Sequence, residues 1–119
     1  MKTINHSEMV AALAKPGEKI LADMFPIDAH LNHMVMGISG EAGELLDAVK
    51  KKTIYRKELD RANVVEELGD IEFYLEGLRQ SLGISRDECI AANIAKLGKR
   101  YENFLYSYAQ AQARADKSA

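Results

Sequence analysis

The chain has 119 residues, 47% of them hydrophobic and 29% charged, with a net charge of −2. That is one domain's worth of chain, too apolar for disorder and too nearly neutral for the basic footprint of a nucleic-acid binder. No apolar run approaches the roughly 20 residues of a membrane span, and the first residues lack the apolar core of a signal peptide. The lone cysteine, Cys89, fits a reducing, cytoplasmic setting and reads as a small buried hydrophobe.

Pro16-Gly17 breaks the first 25 residues, so residues 7–24 are expected to form one or two short helices. Pro26 precedes an expected cap at Asp28. From there Leu31, Val35, Ile38, Ala42, Leu45 and Val49 step alternately by four and three, which predicts an apolar stripe on a helix reaching about Lys52. Lys50, Lys51 and Lys52 suit the carbonyl end of its dipole. A short polar connection follows, with Asp60 as the expected N-cap. Val64, Leu68, Ile71, Leu75, Leu78 and Leu82 predict a second striped helix, stopped by Gly83. Ser85, with Glu88 three residues on, has the form of a capping box. Ile90, Ile94, Leu97, Tyr101, Phe104 and Tyr108 predict a third helix that continues to about Arg114, with a fraying tail beyond Gln110. Nothing alternates as a strand would. The expectation is an all-α helical bundle, built on an antiparallel helix hairpin plus a third long helix.

Four acids fall into a regular arrangement. Glu41 and Glu44 are three apart on the first long helix, and Glu67 and Asp70 are three apart on the second. Residues at this spacing share a helix face. Each pair directly precedes stripe residues, so each is expected to flank its apolar seam on the same side. A short connection makes the helices antiparallel neighbours, and the four carboxylates should meet at one seam edge. Such a gathering of negative charge is relieved when one group takes a proton or when a cation binds. Mg²⁺ and Mn²⁺ are the cations that all-oxygen donor sets select. Gly37, Gly40, Gly43 and Gly69 beside the acids would admit a close approach of helix, metal or ligand. The plainer alternative is that these are solvated surface acids.

His30 and His33 precede Glu41 and Glu44 by eleven residues, nearly three full turns. They point the same way from about 16 Å further along the axis, too far to share a metal with the acids but suited to the far end of a nucleotide. Lys96 and Arg100, four apart, could hold phosphate oxygens, with Tyr101 beside them; a solvated basic face is the alternative. Met34 and Met36 read as core filler. No phosphate-binding loop, nucleophilic triad or dinucleotide fingerprint is present.

Three segments taken together, GISGEAGELLDAVKK (37–51), VVEELGDIEFYL (64–75) and NIAKLGKRY (93–101), resemble the MazG-like all-α nucleoside triphosphate pyrophosphohydrolases. Their Glu-x-x-Glu, spacer, Glu-x-x-Asp pattern is met here with 22 residues between Glu44 and Glu67. The resemblance covers residues 28–101 as the core of a single domain spanning 1–119, with 102–119 as a helical extension. It implies hydrolysis of (d)NTPs to the monophosphate and pyrophosphate by metal-activated water. Glu41, Glu44, Glu67 and Asp70 would hold Mg²⁺, with Mn²⁺ as the alternative, and Glu44 or Glu41 would serve catalysis. Asn93, Lys96, Arg100 and Tyr101 would contact phosphate or sugar, and His30 or His33 the base or sugar. It also implies a homodimer or a dimer of dimers as the working form, with a nucleotide and copies of itself as partners; charge and hydropathy lead to no expectation of nucleic acid or membrane. The competing readings are a non-catalytic helical interaction or regulatory module, and the same fold acting on nucleoside diphosphates or another phosphate ester.

Overall fold

A computed structural model describes residues 3–114, 116 and 117, and among these all regular structure is helical. Two short helices lead, α1 (His6–Leu13) and α2 (Gly17–Asp23), separated at Pro16-Gly17 as the sequence predicts. Two long helices follow, α3 (Pro26–Thr53) and α4 (Arg61–Leu82), then α5 (Arg86–Arg100), a 3₁₀ turn (Glu102–Phe104) and α6 (Tyr108–Ala113). None of these helices is long and apolar enough to cross a membrane.

Local chemistry accounts for the boundaries. The cap of α3 is Phe25, not Asp28. Pro26 has no N–H to satisfy and a fixed φ, so it takes the first helical position. Asp28 therefore falls at the third, where its Oδ2 accepts the Phe25 N–H at 2.8 Å. Asp60 caps α4 by accepting the Asn63 N–H at 3.1 Å. At the other end Gly83 adopts φ 66°, ψ 29°. That left-handed residue lets the Ile84 N–H reach the Arg79 carbonyl at 2.9 Å, a closure that a side chain at this position would strain. Ser85 caps α5 by accepting the Glu88 N–H at 3.0 Å.

The main packing is between α3 and α4. Gly37 lies under the ring of Tyr74, and Gly77 lies under the thioether of Met34. The pairs 34–77 and 37–74 run in opposite senses, so the helices are antiparallel. Met34 and Ala48 are the buried apolar residues among those described. The inward face of α3 thus steps through Leu31, Met34, Ile38, Glu41, Leu45 and Ala48, and that of α4 through Val64, Glu67, Ile71, Tyr74, Leu78 and Ser81, all buried or half-buried. The expected stripes have the right period, but every second residue is displaced by one. Val35, Val49, Leu68 and Leu82 are exposed. Met36, expected in the core, is exposed as well, and so is Cys89.

The third expected stripe is not one helix. Tyr101 is extended (φ −119°, ψ 114°) and Asn103 is left-handed (φ 55°, ψ 24°), a conformation Asn tolerates better than most residues. The chain therefore turns back after Arg100, and Ser107 caps α6 by accepting the Gln110 N–H at 3.0 Å. Phe104 comes to rest against Gly98. The segment from Gln110 to Ala113, expected to fray, is helical. The main contacts of α5 are with the 3₁₀ turn and α6, not with the α3–α4 pair.

The radius of gyration is 20.3 Å, against about 13–14 Å for a compact chain of this length. Large apolar side chains remain exposed on α3 (Val35, Met36, Leu46), α4 (Val65, Leu68, Phe73) and α5 (Ile90, Ile94).

Candidate functional site

Three of the four predicted acids converge. Carboxylate oxygens of Glu41, Glu67 and Asp70 lie within 4.8 Å of one another. The antiparallel register places Glu41 of α3 opposite the 67–70 turn of α4, and the three-residue spacing brings Glu67 and Asp70 to that point together. The acids do not merely flank the seam as expected. Glu41 and Glu67 occupy seam positions where apolar residues sit elsewhere, and Glu67 is only 9% exposed. Asp70 sits on the exposed flank.

The electrostatics follow from that placement. Glu41 and Glu67 each keep one buried Oε2 with no hydrogen-bond partner among the described residues. Two carboxylates offer no proton to share, so they can hydrogen-bond only when one of them is protonated. That demand from Glu41, then burial, then the approach of Glu44 push the Glu67 carboxyl from 4.5 up to about 7. Glu44 therefore bears on Glu67 but stands outside the close trio, and it is exposed. A hard divalent cation would satisfy the orphaned oxygens and neutralise the charge, and three carboxylates on two rigid helices make a donor set of the right chemistry for one.

The glycines divide. Gly37 and Gly77 admit neighbouring side chains, whereas Gly40, Gly43 and Gly69 face open space. Beyond Gly37 the seam opens into a cavity of about 740 Å³, lined by Ile27, His30, Met34, Phe73 and Gln80 among others. His30 thus borders a concave, largely apolar volume. His33 instead stands edge-on to Tyr74, with ring centroids 6.0 Å apart.

The predicted phosphate ligands are placed differently from the acids. Asn93 is exposed and Tyr101 half-buried, with the Tyr101 ring 5.6 Å from that of Tyr106. Lys96 and Arg100 do not form a solvated basic face. Arg100 donates from Nε to Asp116 Oδ1 at 2.6 Å and from Nη2 to Oδ2 at 3.1 Å, and Lys96 Nζ stands 4.0 Å from the same carboxylate. Asp116 was not singled out by the sequence. It lies sixteen residues from Arg100 beyond two changes of chain direction, and no periodicity links such positions.

The family model described as the MazG nucleotide pyrophosphohydrolase domain matches residues 30–105, a span from the start of α3 to the 3₁₀ turn that includes all four acids. No curated protein and no solved structure gives a significant match.

Proposed function

We propose that this chain, which belongs to the MazG nucleotide pyrophosphohydrolase family, hydrolyses nucleoside triphosphates of the (d)NTP class to the monophosphate and pyrophosphate. The observation that carries this reading is the pair of buried, unpartnered oxygens on Glu41 and Glu67 within a trio completed by Asp70. Glu41, Glu67 and Asp70 would hold Mg²⁺, or Mn²⁺ in its place, with Glu44 at the edge of the set. When bound, the cation polarises the phosphoryl group and makes water a better nucleophile.

The chain's own residues supply the remainder. Water attacks the α-phosphorus, the bond to the α–β bridging oxygen breaks, and pyrophosphate leaves with the electron pair. Glu44, exposed one turn from Glu41, is the carboxylate free to take the proton from the attacking water. Lys96 and Arg100 match the charge and fork geometry of the departing phosphates, and Asn93, midway along α5, and Tyr101, just after it, would meet phosphate or sugar. The cavity bordered by His30 and Phe73 has room for a base, with His33 on the same stretch of α3.

The exposed apolar faces of α3, α4 and α5 and the extended shape support a working form in which copies of the chain pack together, as a dimer or dimer of dimers. The substrate is a free nucleotide, in a reducing cytoplasm. The test is a panel of NTPs and dNTPs with Mg²⁺, followed by product identification. Monophosphate and pyrophosphate should appear, and Glu41→Gln should sharply slow the release of both at the same Mg²⁺ concentration. Release of orthophosphate from a diphosphate would move the assignment to another phosphoanhydride, and no turnover on any nucleotide would remove it.

A further inference from the structure

The carboxylate of Asp116 is 1% exposed, although it lies near the end of the chain. Two nitrogens of Arg100 grip its two oxygens, and Lys96 approaches from the same side. This is the planar, two-point arrangement that a guanidinium makes with a carboxylate and equally with a phosphate. Three features of the backbone deliver the acid there. Asn103 and Phe104, both at positive φ, reverse the chain, and Arg114, also left-handed, redirects it after α6. Phe104 against Gly98 and the Glu102 N–H donated to the Gln110 side chain at 3.2 Å fasten the returning segment to α5.

We propose that Asp116 is a competing anion built into the chain: its carboxylate occupies the Lys96–Arg100 fork in the place of a substrate phosphate, so that residues 102–114 with Asp116 form a latch a polyphosphate must displace. This rests on the reading of Lys96 and Arg100 as phosphate ligands. The latch lowers apparent affinity by the fraction of molecules in which the fork is open. It also makes the C-terminal segment responsive to nucleotide, since binding of phosphate at the fork and docking of the segment exclude one another.

Inorganic tripolyphosphate, titrated into the full-length protein in EDTA at low salt, reads the fork without metal or turnover. Asp116→Asn should bind it about tenfold tighter than wild type, the gain expected if the latch is closed nine-tenths of the time. Adding Arg100→Ala to that variant should remove the gain. In the wild-type protein the carboxyl carbon resonance of Asp116 should move to its free position as tripolyphosphate is added, a measurement that needs no substitution. Equal or weaker binding by Asp116→Asn, or an Asp116 resonance that stays fixed while the anion binds, would overturn the latch. Separate assay of the nucleotide panel keeps the two readings apart. Tighter anion binding without hydrolysis would remove the proposed activity and leave the latch, and hydrolysis with an unmoved Asp116 would do the reverse.

Discussion

Glu41 and Glu67 face each other across the α3–α4 seam, each with a buried carboxylate oxygen that no described residue satisfies. Both sit at positions where the helix pair elsewhere buries apolar side chains. Such an arrangement destabilises the folded chain until a proton or a cation enters. Mg²⁺ should therefore raise the thermal midpoint. At ten times its Kd a ligand specific for the folded state adds about 1.4 kcal/mol, or about 5 °C for a chain of this size. Glu67→Gln should melt higher than wild type without Mg²⁺ and respond little to it. Differential scanning fluorimetry across a Mg²⁺ series checks both, and equal response in the two proteins would contradict the assignment.

The same contact sets a pH dependence. The Glu67 carboxyl is raised from 4.5 to about 7 in the folded protein. Between those values the folded chain holds a proton that the unfolded chain has released. The resulting stabilisation is complete below about 4.5 and drains away as pH rises through 7. Metal-free protein should thus lose stability from pH 5 to pH 8, about the range over which this group titrates. Mg²⁺ should oppose the loss, because the cation competes with the proton and binds better as pH rises. Chemical denaturation in EDTA at several pH values measures the slope, and Glu67→Gln should flatten it.

Glycine substitutions separate the packed part of the seam from the open part. Ala in place of Gly within a helix ordinarily gains about 1 kcal/mol. At Gly40, where an added methyl meets open space, Gly40→Ala should show that gain. At Gly37 the methyl would enter the ring of Tyr74. A ring cannot bend aside as a chain can, so Gly37→Ala should cost about 1–3 kcal/mol. Gly77→Ala meets the flexible thioether of Met34 and should fall between the two. Urea midpoints of the three variants give the order directly.

The periodicity of the sequence carried the two long helices, and the short connection between them with the three-residue spacing of the acids carried the approach of Glu41 to Glu67 and Asp70. Periodicity misplaced the seam because α3 and α4 each have apolar residues on more than one face. Ala42 competes with Glu41, and Val49 with Ala48, for the inward position, and pattern alone prefers the more hydrophobic member of each pair. The structure places a glutamate inside at 41 and again at 67, a choice that hydrophobic period does not signal. The break after Arg100 was hidden for a related reason. Tyr101, Phe104 and Tyr108 keep helical spacing across a turn that depends on Asn103 going left-handed, a local event that leaves no mark on hydrophobic period. The ion pair of Asp116 with Arg100 is a tertiary consequence of that turn and was invisible for the same reason.

Kinetics should divide the four acids by role. Within the trio Glu67 is buried and Glu41 half-buried, whereas Glu44 is exposed and outside it. If Glu44 takes the proton from the attacking water, Glu44→Gln should lower kcat by about 10²–10⁴ while the Mg²⁺ concentration for half-maximal rate stays near that of wild type. Glu41→Gln and Asp70→Asn each remove an oxygen donor with its charge, so they should raise the Mg²⁺ requirement, and added Mg²⁺ should restore part of the rate. A rate profile against Mg²⁺ for each variant distinguishes the two patterns. An Mg²⁺ requirement raised equally in all three single variants would place Glu44 among the ligands and leave the base to be sought elsewhere.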